Sequence, residues 1–142
     1  MNLAKQSEDL KYVTAIEPKN AVAGTINGND VDTRGFRSAS FVLGAGLASG
    51  DPVSFSIAWS LEEKEASGDA YAACVPAIAG EAVAGASDAY EQGILDVQLE
   101  DRKRYVRIVA VVTITGGTEP AIPLSCLGVL GNPFVIPVTQ QA

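Results

Sequence analysis

The chain has 142 residues, 47% apolar and only 19% charged, with ten basic against seventeen acidic side chains and no histidine. The net charge of −7 excludes a sequence-independent nucleic-acid binder, which needs a basic face. The missing imidazole removes Ser-His-Asp and Cys-His nucleophile pairs and every His-containing zinc site. This length sets one domain that buries about two-thirds of its unfolded surface. The sparse charge points to surface hidden in an assembly, against the plainer reading of loops padded with Ala and Gly.

In chain order, residues 1–20 read as an arm: Leu3, Leu10 and Tyr12 are loosely spaced, and Pro18 stops any helix begun over 6–11. Residues 21–26 form a weak strand ended by Asn27-Gly28-Asn29-Asp30, a strong turn signal. Residues 37–43 alternate, with Ala39, Phe41 and Leu43 on one face, and 44–52 form a glycine-rich loop. In 53–59, Val53, Phe55, Ile57 and Trp59 face inward while Ser54, Ser56 and Ala58 face outward. Residues 61–70 are acidic and read as the solvated tip of a long connection, 71–75 as a short strand, and 77–87 as an Ala/Gly loop.

Residues 94–99 form a strand with Leu95, Val97 and Leu99 on one side. The strongest strand signal is 103–115, a β-branched run entered through a basic cluster and closed by Gly116-Gly117. Val106, Ile108, Ala110, Val112 and Ile114 share one face; Tyr105, Arg107, Val109, Val111 and Thr113 share the other. This strand is expected to pair with 124–130, and Asn132-Pro133 and Pro137 keep the last ten residues extended. The pattern predicts an all-β antiparallel β-sandwich, jelly-roll or Ig-like, over 21–132, with an arm at 1–20 and an extended tail at 133–142. Its core centres on Phe41, Phe55, Ile57, Trp59, Leu95, Val97, Ile108, Val112 and Leu127.

No catalytic residue, metal site or cofactor is expected. Cys74 and Cys126 lie in apolar contexts and read as buried free thiols, with a bridge left open if their strands are neighbours. The glycine-rich loop 44–50 has no following helix to bind a phosphate. Glu62, Glu63, Glu65 and Asp69 read as solvating charge and Asp30 with Asp32 as a turn; a calcium site at 30–32 lacks the loop spacing. Arg102, Lys103, Arg104 and Arg107 read as a solvated strand entrance, partly neutralised by Glu100 and Asp101. A sugar-binding platform needs exposed aromatics, and only Tyr71, Tyr90 and Phe134 are out of phase with the core. With no leader pattern and no apolar run long enough for a bilayer, the chain reads as soluble and cytoplasmic in origin, with no membrane partner.

Three segments carry a family resemblance: Val31-Asp32-Thr33-Arg34-Gly35-Phe36 before an alternating strand and a Gly-rich loop, the strand 53–59, and Arg102-Lys103-Arg104-Tyr105-Val106-Arg107 leading a Val-rich strand. In this order they resemble small head proteins of tailed bacteriophages that decorate or cement the capsid, over residues 21–133. The family often continues its central strand into Glu-Ser-Asp-Asp, where this chain has Trp59-Ser60-Leu61-Glu62-Glu63-Lys64-Glu65, so that loop's chemistry does not transfer. The resemblance implies a non-enzymatic virion structural protein made in the bacterial cytoplasm. It would sit on the capsid surface, bound to the major capsid protein, as a homotrimer. Its arms would bridge subunits through Leu3, Leu10, Tyr12, Phe134 and Ile136. The competing class is a carbohydrate- or receptor-binding β-sandwich module; a low-copy neck or tail component is a third reading.

Overall fold

Strict alternation of apolar and polar residues builds two-faced strands, and two such faces must cover each other to leave water. A computed structural model describes residues 9–86 and 90–133. Ten strands follow in order: β1 (Lys11–Ala21), β2 (Gly24–Asn27), β3 (Val31–Asp32), β4 (Phe36–Ala45), β5 (Ser54–Lys64), β6 (Ala72–Ala73), β7 (Val83–Ala86), β8 (Glu91–Gln98), β9 (Tyr105–Thr115) and β10 (Ile122–Pro133). One sheet runs β1-β10-β4-β8, the other β2-β9-β5-β6, with β3 also on β9 and β7 also on β5. All pairings are antiparallel.

The strands β2 and β3 lie end to end along β9, as β6 and β7 do along β5. Counted as two interrupted strands, they leave a pair of four-stranded sheets, and the chain changes layer at every step except from β5 to β6/β7. That arrangement is the jelly roll and not the Ig-like form.

The inner faces carry the residues that the alternation marks. Phe41, Leu43, Leu95 and Val97 from the first sheet meet Phe55, Ile57, Trp59, Ile108 and Val112 from the second, all buried. Trp59 also donates its indole N–H to the Glu81 carbonyl at 2.7 Å. A Cβ at Gly80 would lie 2.3 Å from the Trp59 ring, so the Ala/Gly segment is a close-fitting lid on the indole. Val83 of β7 is buried beside it. The expected loop over 77–87 thus contains a strand.

Four further expectations change. The supposed arm includes β1, eleven residues paired with β10, with Ala15 and Ile16 fully enclosed. Register shifts between Thr14 and Ile16, and between Ile16 and Lys19, break its period and hide it from a period-2 reading. Second, β9 pairs with β5, β2 and β3, not with β10, which lies in the other sheet between β1 and β4. Positive φ at Gly116, Gly117 and Glu119 turns the chain across the gap between layers. Third, Leu127 points outward and is exposed. Gly128 faces inward in its place, where a Cβ would come within 2.8 Å of Val13 and 3.1 Å of the Phe41 ring. Fourth, Val53 is in phase with the core but precedes β5 and is exposed.

Substituting Gly80→Ala should therefore cost roughly 1–3 kcal/mol through overpacking against Trp59. Urea unfolding followed by tryptophan fluorescence measures this, and the native emission should shift as the indole loses its fixed contact with Glu81.

Candidate functional site

The inward alternation of β5, Phe55-Ile57-Trp59-Leu61, continues in phase to Glu63, which places a carboxylate at the end of the core. Glu63 is only 8% exposed. It accepts the Lys103 backbone N–H at 3.1 Å and faces the Arg102 guanidinium at 3.6 Å. That separation makes the Arg102 pair ionic without a hydrogen bond, and Arg102 Nη1 has no hydrogen-bond acceptor. Cys74, buried just after β6, lies against the same two groups. Burial pushes its thiol pKa up, with Arg102 opposing.

On the outer face of the same sheet the charges sit in cross-strand positions. Glu62 is directly opposite Arg107 and takes two contacts from it, at 2.8 and 2.7 Å. Lys64 is opposite Tyr105 and almost fully covered. Its ammonium reaches Asp30 at 3.3 Å and the Ser67 carbonyl at 2.9 Å, and lies 4.5 Å from the Tyr71 ring centre. The Arg107 guanidinium stands 4.3 Å from that ring, and Tyr71 donates its hydroxyl to Asp30 at 2.7 Å. Arg104 forks onto both oxygens of Asp32 at 3.0 and 2.9 Å.

Four carboxylates and four cations are thus matched in one cluster. The acids expected as a solvated tip divide: Glu62 and Glu63 belong to β5 and are paired, while Glu65 and Asp69 remain exposed. The ion-pair partners of Arg102, Arg104 and Arg107 come from segments distant in sequence, while Asp101 adds a weaker electrostatic pull on Arg102. Among the described residues no three His, Cys, Asp or Glu side chains are grouped to hold a metal ion.

The electrostatics follow from these contacts. The Tyr71 hydroxyl, followed by Lys64, holds Asp30 below the ordinary aspartate pKa of 3.8. Asp32 is lowered first by Arg104 and then by the Arg34 N–H. Tyr71 is raised by burial and by its bond to Asp30. Cys126, enclosed between the sheets, is pushed up to about 12 by burial; both thiols are free.

Of the expected contact residues, Leu3, Phe134 and Ile136 lie outside the described residues. Leu10 precedes β1 and lies over Gly131. Tyr12 sits opposite Val129 and is exposed on the outer face of the first sheet. Both belong to the surface of the sandwich. Of the loose aromatics, Tyr71 is engaged in the ion cluster, Tyr90 is exposed and Phe134 lies outside the described residues.

Two of the three segments that carry the phage-protein resemblance meet in this cluster. The strand β3 pairs Val31 with Val106 and Asp32 with Tyr105. Thr33 donates both its backbone N–H, at 2.9 Å, and its hydroxyl, at 2.6 Å, to the Arg104 carbonyl.

No protein-family model matches the chain, and no curated protein does. Among solved structures, the SPBc2 prophage-derived protein YomS is similar at 15% identity and a TM-score of 0.45, over 91% of this chain and 98% of that one. The C-terminal family 22 carbohydrate binding module of Clostridium thermocellum Xyn10B is similar at 11% identity and a TM-score of 0.42, over 89% and 88%. The Eiger TNF of S. frugiperda follows at 12% identity and 0.36, over 94% and 99%. Likenesses this distant assign neither family nor function.

Two predictions follow from the cluster. Glu63→Ala leaves the buried Arg102 charge uncompensated and should cost roughly 3–5 kcal/mol in urea unfolding. Asp32→Ala, at a half-exposed pair, should cost less than about 1 kcal/mol. The pH dependence has two limbs. Asp30 and Asp32 have lowered folded pKa values, so their stabilisation is complete above the unfolded value near 3.8 and is lost as pH falls below it. Tyr71 is raised, so its share is complete below its unfolded value of 10.0 and is lost as pH rises beyond it. Thermal melts should show Asp30→Asn flattening the acid limb and Tyr71→Phe the alkaline one.

Proposed function

We propose that this protein is a virion structural protein of a tailed bacteriophage, a decoration or cement protein that binds the outside of the head. The carrying observation is the interlock of two of the three resembling segments. Val31-Asp32-Thr33-Arg34-Gly35-Phe36 and Arg102-Lys103-Arg104-Tyr105-Val106-Arg107 stand far apart in sequence yet build one unit through the Asp32–Arg104 fork and the Thr33 bonds. Two motifs that are each weak alone gain weight when they are two halves of one clamp.

The physics of the molecule supports the reading. A shell clamp needs a rigid β body and contact surfaces rather than a reactive cleft, and the cluster's carboxylates are each engaged by a cation. In this reading the partner is the major capsid protein, reached through the terminal segments bearing Leu3, Phe134 and Ile136 together with Tyr12. Self-association, with the trimer as the form the resemblance implies, belongs to the same proposal.

Quantitative mass spectrometry of purified virions tests it through the copy number relative to the major shell protein. A ratio near parity is expected. A few copies per particle would move the protein to the neck or tail, and absence from particles would overturn the structural role and favour a binding module. Truncation must stop before Lys11, since removing β1 would uncover Leu124, Cys126 and Leu130. Deleting residues 1–8 should weaken binding to shells at least about tenfold while leaving the melting temperature unchanged.

A further inference from the structure

The outer face of the sheet β1-β10-β4-β8 carries an apolar ridge. Ile94, Val42 and Leu127 stand side by side across three strands, and Val129 adjoins them in the next row. Ile94 and Leu127 are 58% and 44% exposed. Of the nine exposed large hydrophobic side chains among the described residues, four stand on this face or its rim: Tyr12, Ile94, Leu127 and Tyr90. Isolated exposed apolar residues need no explanation, but a contiguous row does.

Directly beside the ridge the side chains vanish. Gly44 sits between Ser125 and Gln92 in the adjoining row, and Gly46 lies against Pro123. Together with Pro18, Asn20 and Tyr90 they line an open trough of about 730 Å³. Gly44 lies within β4, where glycine weakens a strand. Its fold gives no reason for glycine. A Cβ there meets nothing within 4 Å, and its φ is not positive. A strand glycine with no internal demand is one sign of a place where something external approaches the backbone closely.

We infer that the occupant is a second copy of this chain, with the Ile94–Val42–Leu127 ridge of each protomer seated in the Gly44 trough of the other. Ridge and trough lie side by side on one face. A two-fold axis between the two rows, perpendicular to the strands, brings each ridge over the partner's trough, so the surface is complementary to itself. The contact is a sheet-on-sheet packing of the kind already used inside the molecule. Four strands at about 4.8 Å spacing over eight residues of about 3.3 Å give roughly 500 Å² per copy. The total of about 1,000 Å² reaches the size of a specific interface. Because ridge and trough share one face, the contact is isologous and closes with two copies. The Val42 and Gly44 rows at the centre carry no charge, while Asp96 beyond the ridge and Lys19 and Glu91 along the trough make a charged rim. The inference does not rest on the virion reading, and it sets two copies where the phage-protein resemblance implies three.

Analytical ultracentrifugation of the full chain, over a concentration series and at two ionic strengths, tests it. A mass twice the 14.7 kDa of one chain is expected, tightening at higher salt as the repulsion is screened. Gly44→Leu puts a side chain into the trough from a position where its Cβ meets nothing within 4 Å, and Ile94→Asp puts a charge on the ridge. Each should raise the dissociation constant at least about tenfold while leaving the melting temperature at monomeric dilution unchanged. Were Gly44→Leu to fail to fold, Ile94→Asp on the edge strand carries the test alone. A monomer throughout, a mass three times that of the chain, or a dimer indifferent to the variants would each overturn the inference. So would a monomer in which the thiol of Gly44→Cys is shielded from reagent, which would put one of the chain's own termini in the trough.

Discussion

The two inner faces of the sandwich must cover each other completely, and the rest of the molecule is arranged around that demand. Strands β4 and β10 supply one face, β5 and β9 the other, and the large fully enclosed side chains Phe41, Leu43, Ile57, Leu61, Ile108 and Leu130 come from these four. Such an interior has no room to spare, which is why glycine recurs where rings arrive: Gly128 against Phe41, Gly80 and Gly93 against Trp59. The flanking strands β1 and β8 on one sheet, and the interrupted pairs β2/β3 and β6/β7 on the other, then close the sides.

The open end of this interior is sealed by charge. Continuing the inner face of β5 to Glu63 would be costly without compensation, and Arg102 with the Lys103 N–H supplies it. The outer-face pairs Glu62–Arg107 and Lys64–Asp30 surround the seal, and Tyr71 lies between two cations. Four of the ten cations are concentrated here against four of the seventeen acids, so the whole net charge of −7 is carried elsewhere. The ion cluster and the apolar outer face of the other sheet are accordingly different in kind: one is closed on itself, the other is unsatisfied.

Much of this could be read from the chain. Alternation correctly marked Phe41, Phe55, Ile57, Trp59, Leu95, Val97, Ile108 and Val112 as inward. It failed where the period was broken or stopped early. The bulges in β1 disguised a strand as an arm, and Leu127 was assigned inward although Gly128 takes that place. Glu63 was legible in principle, since it keeps the phase of Trp59 and Leu61, but an acidic run reads as solvent-facing unless that phase is followed through. Gly44 gave no local signal, because nothing in its own neighbourhood distinguishes a strand glycine from loop padding.

The sequence by itself determined the class of the fold and the inward face of its long strands, because side-chain alternation is a local property of an extended backbone. Only the tertiary structure decided which strands share a sheet, that β9 and β10 part into different layers, and that Asp32 and Glu63 meet Arg104 and Arg102. Those outcomes rest on hydrogen bonds and ion pairs between segments dozens of residues apart. An extended backbone offers the same donors and acceptors at every register, so the choice among partners falls to which arrangement buries both inner faces and leaves no carboxylate in the core without its cation.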